Sequence, residues 1–302
     1  MSNIVLVSGK NGQLGKELQD ASPNDADHKY IFFDREALNI ADETALQQAF
    51  EKYKPSFFIN CAAYTAVDKA ETEKEQAYTI NAKAVGNIAK QCHQSNTKLI
   101  HVSTDYVFDG NGTSPYKTED KTDPVNYYGE TKLSGEQLAI NNNPNTIVIR
   151  TSWVYSKYGN NFVKTMLRLM KERKEINVVS DQLGSPTYAK DLAEAILKVV
   201  SSEWLVISEK NLNEATENSK PKTQNSIYHF SNEGIISWYD FAVAIRDNKQ
   251  LDCIVNPIPT SAYPTPAKRP AYSGLDKSKI ANTFNIQLKD WKESLYECLQ
   301  AL

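Results

Sequence analysis

Cysteine is scarce and scattered: Cys61, Cys92, Cys253 and Cys298 are spread over 302 residues with no C-x-x-C pair. That spacing argues against a disulfide framework or a zinc knuckle and fits a reducing, cytoplasmic setting. Histidine is equally sparse. His28, His93, His101 and His229 are dispersed, so no metal site is expected, and they read as surface or strand-end imidazoles. Long apolar runs are missing too, since no stretch approaches the roughly 18 residues of a membrane span. The opening Met1-Ser2-Asn3-Ile4-Val5-Leu6-Val7 has no cationic start and no extended apolar region, and reads as a first strand. Charge of one sign is absent as well. With Lys+Arg 34 against Asp+Glu 37, the net charge is −3 and there is no basic run, which leaves no electrostatic case for nucleic acid or a membrane surface. No internal repeat is visible.

What is present is an ordinary globular composition, 40% hydrophobic and 24% charged, long enough for one large domain and a smaller one. Short apolar runs at Ile4–Val7, Tyr30–Phe33, Ser56–Cys61, Lys98–Ser103 and Thr146–Arg150 read as strands. Between them, helical patterns fall at Gln13–Ala21, Glu43–Tyr53, about Thr72–Ser95 and Tyr127–Ile140. Strands of four to six residues alternating with longer helices imply βαβ units, a parallel sheet and right-handed crossovers. The expected fold is therefore α/β, a Rossmann-like doubly wound parallel sheet with helices on both faces. Past Arg150 the rhythm loosens. Helices are expected at Asn161–Arg173, Ala189–Val200, Trp238–Asp247 and Trp291–Leu302, and strands at Ile227–Phe230 and Cys253–Ile258. Asp181–Thr187 reads as irregular, and Pro257–Pro270 as loop or extended chain. Residues 1–150 thus read as a dinucleotide-binding domain and 151–302 as a smaller α/β substrate-binding portion, with elements free to cross that boundary. The polar stretch at 203–226 reads as an exposed insertion.

Gly9-Lys10-Asn11-Gly12-Gln13-Leu14-Gly15 lies between the first strand and the first helix. Gly9 permits the tight turn, Gly12 lets backbone approach a pyrophosphate, Gly15 permits close helix–strand packing, and the helix N-terminus faces the anion. About twenty residues on, Asp34 could bind a ribose 2′-hydroxyl, favouring NADH, whereas the adjacent Arg35 could grip the 2′-phosphate of NADPH. Both coenzymes stay open. Ala62, Ala63 and Tyr64 follow the third strand, where small side chains would let the adenosine side lie close to the backbone. Strand four ends in Ser103-Thr104-Asp105-Tyr106, polar groups at the carboxyl edge of a parallel sheet. Tyr128 and Lys132 then share one helix face. Chance alone supplies about 1.8 Tyr-x-x-x-basic matches in a chain with 16 Tyr and 34 Lys+Arg, so position carries the weight. Reducing a ketone with a nicotinamide hydride leaves an alkoxide to protonate, and a nearby ammonium is expected to draw the phenol's pKa down for that task. Thr104 would position the carbonyl oxygen, and Lys132 would also hold the nicotinamide ribose.

Gly9/Gly12/Gly15 with Thr104 and Tyr128-x-x-x-Lys132 resembles the extended short-chain dehydrogenase/reductase superfamily. The longer strings are Gly12–Gly15, Asn60–Glu71, Ser103–Gly110, Tyr128–Leu133, Arg150–Tyr155 and Asp181–Thr187. Together they resemble the dTDP-4-dehydrorhamnose reductase family from the first strand to the last helix, most weakly at 203–226. That resemblance implies reduction of the C4 ketone of dTDP-4-dehydro-6-deoxy-L-mannose to dTDP-L-rhamnose with NADPH or NADH, without a metal in the chemistry, by a cytoplasmic monomer or homodimer. It implies catalysis by Tyr128, Lys132 and Thr104. Coenzyme contacts are implied at Gly9, Asn11, Gly12, Gln13, Leu14, Gly15, Asp34, Arg35, Asn39, Ile40, Ala62, Ala63, Tyr64, Tyr128 and Lys132. Substrate contacts are implied at Thr104, Asp105, Tyr128, Trp153 and Arg269. One departure is Asn39-Ile40-Ala41-Asp42, where the family usually begins with Asp; Asn can still hydrogen-bond adenine, so a shifted coenzyme preference is expected. The alternatives are a reductase or epimerase of another deoxysugar nucleotide, or a non-catalytic subunit resembling methionine adenosyltransferase subunit beta, which would have no need of an intact Tyr–Lys pair.

Overall fold

The computed structural model describes residues 3–202 and 226–302. The expected insertion at 203–226 lies, apart from Ser226, outside the described residues. Strand β1 (Asn3–Ser8) leads through the glycine turn into helix α1 (Gln13–Ala21). Strand β2 (His28–Phe33), helix α2 (Glu43–Tyr53), strand β3 (Phe57–Asn60), strand β4 (Lys98–Thr104) and strand β5 (Thr146–Thr151) follow. The strand Ser226–Phe230 completes a six-stranded sheet in the order β2, β1, β3, β4, β5, Ser226–Phe230. Every neighbouring pair in it is parallel.

Both faces of the sheet are covered, as period-two alternation requires. Val5 and Val7 point to a layer formed by Leu14 and Leu18 of α1 with Leu192, Ile196 and Val199 of the helix Ala189–Ser201. Leu6 points the other way, among Leu46 and Phe50 of α2, Val85 and Ile88 of the helix Ala84–Gln94, and Ala139 of the helix Tyr127–Asn142. This is the doubly wound sheet read from the sequence. The long helix expected from Thr72 begins instead at Lys74, and a π turn at Thr79–Lys83 joins Lys74–Tyr78 to Ala84–Gln94. There Asn81 binds the Tyr64 backbone on both sides, at 2.8 and 3.0 Å, and the Thr131 hydroxyl at 3.1 Å. The extra residue of the π turn thereby ties three segments around the site.

A smaller layer forms beyond β5. Glu175–Val179 pairs in parallel with Ile254–Ile258, packed by the helices Phe162–Glu172 and Trp238–Asn248 around Met166, Phe241, Ile245 and Trp291. The strand Glu175–Val179 and the helix Ser278–Phe284 are additions to the sequence reading. One expectation is corrected: His101 and His229 are not surface or strand-end imidazoles but lie fully buried inside strands of the main sheet. Burial holds the pKa of each well below its ordinary value.

Candidate active site

The strand order reverses between β1 and β3, and ligands of open α/β sheets bind outside the carboxyl ends of such a pair. A cleft of about 1250 Å³ opens there. Its wall is built by close backbone approach. Gly9 has φ +81°, and a Cβ on it would stand 2.7 Å from the Ala62 nitrogen. A Cβ on Gly15 would collide with the Gly9 carbonyl oxygen, so α1 can start this near the sheet only without a side chain there. The Gly12 N-cap offers no side-chain cap, and the first turn of α1 holds no acidic residue, which leaves its N–H groups facing the cleft.

Every residue assigned to the coenzyme on sequence grounds lines this one cleft: Gly9, Asn11, Gly12, Gln13, Leu14, Gly15, Asp34, Arg35, Asn39, Ile40, Ala62, Ala63, Tyr64, Tyr128 and Lys132. Asp34 accepts from the Ala37 amide at 2.9 Å and sits 3.9 Å from Lys10, so its carboxylate is fixed, while Arg35 is exposed. Asn39 takes the Ala41 amide at 3.2 Å, and Asp42 caps α2.

Tyr128 and Lys132 come from the first turns of the helix Tyr127–Asn142, which Asn126 caps through the Gly129 amide at 2.9 Å. Both are buried. Lys132 Nζ donates to the Val102 carbonyl at 2.7 Å, and burial brings its pKa down to about 8 against the pull of Glu136. The Tyr128 phenol has the Thr104 hydroxyl as its partner, and the Tyr106 ring packs edge-on against it. Its pKa differs from the sequence expectation. Burial, with the Asp105 charge beside it, raises it and outweighs the Thr104 hydrogen bond, so the phenol holds its proton. Thr104 in turn donates to Asp105 at 2.9 Å, and burial pushes that carboxyl up to about 6.

Of the substrate-side residues, Tyr128 lines the glycine cleft, and Thr104 and Asp105 follow it in a chain of polar side chains. Trp153 has a left-handed backbone, φ +47°, and one face of its indole stacks on Trp238 at 3.5 Å. Gly184 lies between that indole and the Ser273 side chain, which lies near Asp105. Arg269 is held by Asp68 at 2.8 Å and by the Ala267 carbonyl at 2.9 Å, so the Arg269 segment is strapped to the helix Val67–Ala70. Sequence reasoning missed Trp238, Gly184 and a polar row formed by Ser8, Asn60 and His101. The available signal for that row was a polar residue closing or interrupting each of three apolar strand runs.

The chain matches the family described as RmlD substrate binding domain over residues 2–302. A dTDP-4-dehydrorhamnose reductase of Aggregatibacter actinomycetemcomitans is 40% identical, covering 96% of each chain. The spore coat polysaccharide biosynthesis protein SpsK of Bacillus subtilis is also 40% identical, over 98% of this chain and 96% of its own. Among solved structures, dTDP-4-dehydrorhamnose reductase from Bacillus anthracis in complex with NADP superposes with TM-score 0.90 at 37% identity, covering 100% of both chains. The Thermus thermophilus UDP-glucose 4-epimerase, 16% identical with TM-score 0.78, shares the fold. The chain belongs to the RmlD substrate-binding-domain family of reductases, built on the extended short-chain dehydrogenase/reductase fold.

Proposed function

We propose that this protein reduces the C4 ketone of dTDP-4-dehydro-6-deoxy-L-mannose to dTDP-L-rhamnose with NADPH or NADH. The observation that carries the reading is a buried phenol at Tyr128, set between Thr104 and the glycine cleft, one helical turn from Lys132. The cleft suits a dinucleotide, because the bare glycine backbone and the uncapped α1 N-terminus offer N–H donors to a pyrophosphate with no carboxylate in the first turn to oppose it. Lys132 would hold the nicotinamide ribose, and the bound coenzyme supplies the hydride to the carbonyl carbon. Thr104 Oγ1 orients the carbonyl oxygen. Tyr128 Oη gives that oxygen its proton, the Oη–H bond breaking as the new O–H forms. Lys132 stabilises the phenolate left behind. The reductase relatives at 37 to 40% identity support the dTDP-sugar assignment.

The equal identity of the spore coat polysaccharide relative favours a second reading, another deoxysugar nucleotide as substrate. Coenzyme oxidation measured with dTDP-, GDP- and UDP-linked 4-keto sugars separates the two. A clear preference for the dTDP-linked 4-keto-L-sugar is expected, and a preference for a different nucleotide would overturn the substrate assignment.

A further inference from the structure

A buried polar row crosses the sheet beneath the cleft. Ser8, Asn60 and His101 are in-register neighbours on β1, β3 and β4, and all three are buried. One backbone group assigns every proton along the row. The Ala62 amide lies 3.2 Å from Asn60 Oδ1 and can only donate, so that atom is the carbonyl oxygen. The Ser8 hydroxyl donates to it as well, at 2.7 Å. Asn60 Nδ2 is therefore the donor end, and it lies 3.1 Å from His101 Nδ1, which must accept. A neutral imidazole carries a single ring proton, here on Nε2. Nε2 faces Lys132 Nζ at 3.5 Å, against the 2.7 Å that Nζ keeps to Val102. The long separation is what two facing donors adopt, and it becomes a hydrogen bond only when Nζ offers a lone pair.

We propose that His101 is a positioning residue for proton transfer: fixed by Asn60 with its proton on Nε2, it confronts Lys132 donor to donor and makes the ammonium give up a proton more readily. The catalytic meaning rests on the ketoreductase reading. After Tyr128 has protonated the alkoxide, an N–H bond of Lys132 breaks, its proton re-forms the phenol, and the electron pair left on Nζ accepts His101 Nε2–H. The other groups facing Lys132 act differently. Glu136, one turn along the same helix and ion-paired to Arg150, favours the ammonium. Cys61, from the segment after β3, is an uncharged thiol whose pKa burial pushes up to about 12. Tyr128, one turn before, is a neutral phenol.

The direct test is ring-nitrogen NMR on the full chain labelled with 15N-histidine and free of coenzyme, the His101 signal being the one lost in His101→Asn. At neutral pH the expected signal is a neutral ring protonated on Nε2; protonation on Nδ1 overturns the inference. The second readout is the pH profile of kcat/KM for ketone reduction. His101→Asn keeps an amide oxygen for Asn60 but places no donor against Lys132, so its alkaline limb should move up by about half to one pH unit, roughly three- to tenfold in proton affinity. His101→Gln restores an N–H near the Nε2 position and should keep the limb of the unaltered protein. An unmoved limb in His101→Asn, or the same shift in both variants, overturns the proposal. Absence of any ketone reduction by the unaltered protein would strike the functional reading, while the ring-nitrogen signal still decides the tautomer.

Discussion

The helix that carries Tyr128 and Lys132 is fastened to β5 by a buried ion pair, and removing one half of it should cost a large share of a domain's margin. Arg150 Nε and Nη2 donate to Glu136 at 3.0, 3.2 and 2.7 Å, with both side chains almost fully enclosed. The guanidinium also lies over the Phe108 ring at 5.1 Å. Glu136→Met keeps nearly the same volume but leaves that guanidinium buried without its counter-charge. Breaking such a pair costs about 3–5 kcal/mol, against a total stability of about 5–15 kcal/mol for a native protein. Equilibrium urea unfolding followed by far-ultraviolet circular dichroism measures the loss. The double variant Glu136→Met/Arg150→Met removes both charges and should be more stable than either single variant, since no ion is then stranded. A single-variant cost under about 1 kcal/mol, the range of an exposed pair, would refute the reasoning. So would a double variant that merely sums the two losses.

Three other perturbations follow from the site. Gly15→Ala drives a methyl into the Gly9 carbonyl; about 1–3 kcal/mol of overpacking strain is expected, which appears as roughly five- to 150-fold weaker coenzyme binding in a fluorescence titration if the turn takes the strain. Arg35→Ala removes the exposed guanidinium beside the fixed Asp34, so KM for NADPH should rise while KM for NADH holds; an equal change in both would remove Arg35 from 2′-phosphate recognition. Asp105 has its pKa raised by burial from 3.8 to about 6, so its charge destabilises the fold above about pH 6, and the penalty fades as pH falls toward 4. Asp105→Asn should therefore be the more stable protein at pH 8, by up to about 3 kcal/mol, and the advantage should vanish at pH 4; a pH-independent difference would contradict this.

Much of the fold was legible because its signals are local. Four of the five strands of the first half are apolar runs buried along most of their length, with the edge strand β2 half-buried, and the turn from Gly9 to Gly15 announces its geometry through glycine spacing. Other features depend on partners distant in sequence. Glu175–Val179 alternates buried and exposed residues over only five positions and becomes a strand by pairing with Ile254–Ile258. The π turn at Thr79–Lys83 adds one residue to a helical period that remains apolar on the same side, so periodicity reads straight through it. His101 looked like an ordinary strand imidazole because its meaning lies in register, which sets it beside Asn60 and across from Lys132. The phenol's raised pKa was invisible for a related reason: spacing places an ammonium nearby but says nothing of how completely the pair is shut from water. The sequence marks Trp153 as a substrate contact, but nothing near it in the chain shows that Trp238, 85 residues on, covers one of its faces.

The most direct test compares rapid-mixing coenzyme oxidation by the unaltered protein and by Tyr128→Phe, with saturating coenzyme and the dTDP-linked 4-keto sugar. Losing the proton donor should slow turnover at saturating coenzyme by about 10²–10⁴-fold. Turnover by Tyr128→Phe near that of the unaltered protein would contradict the assignment of the buried phenol as the acid.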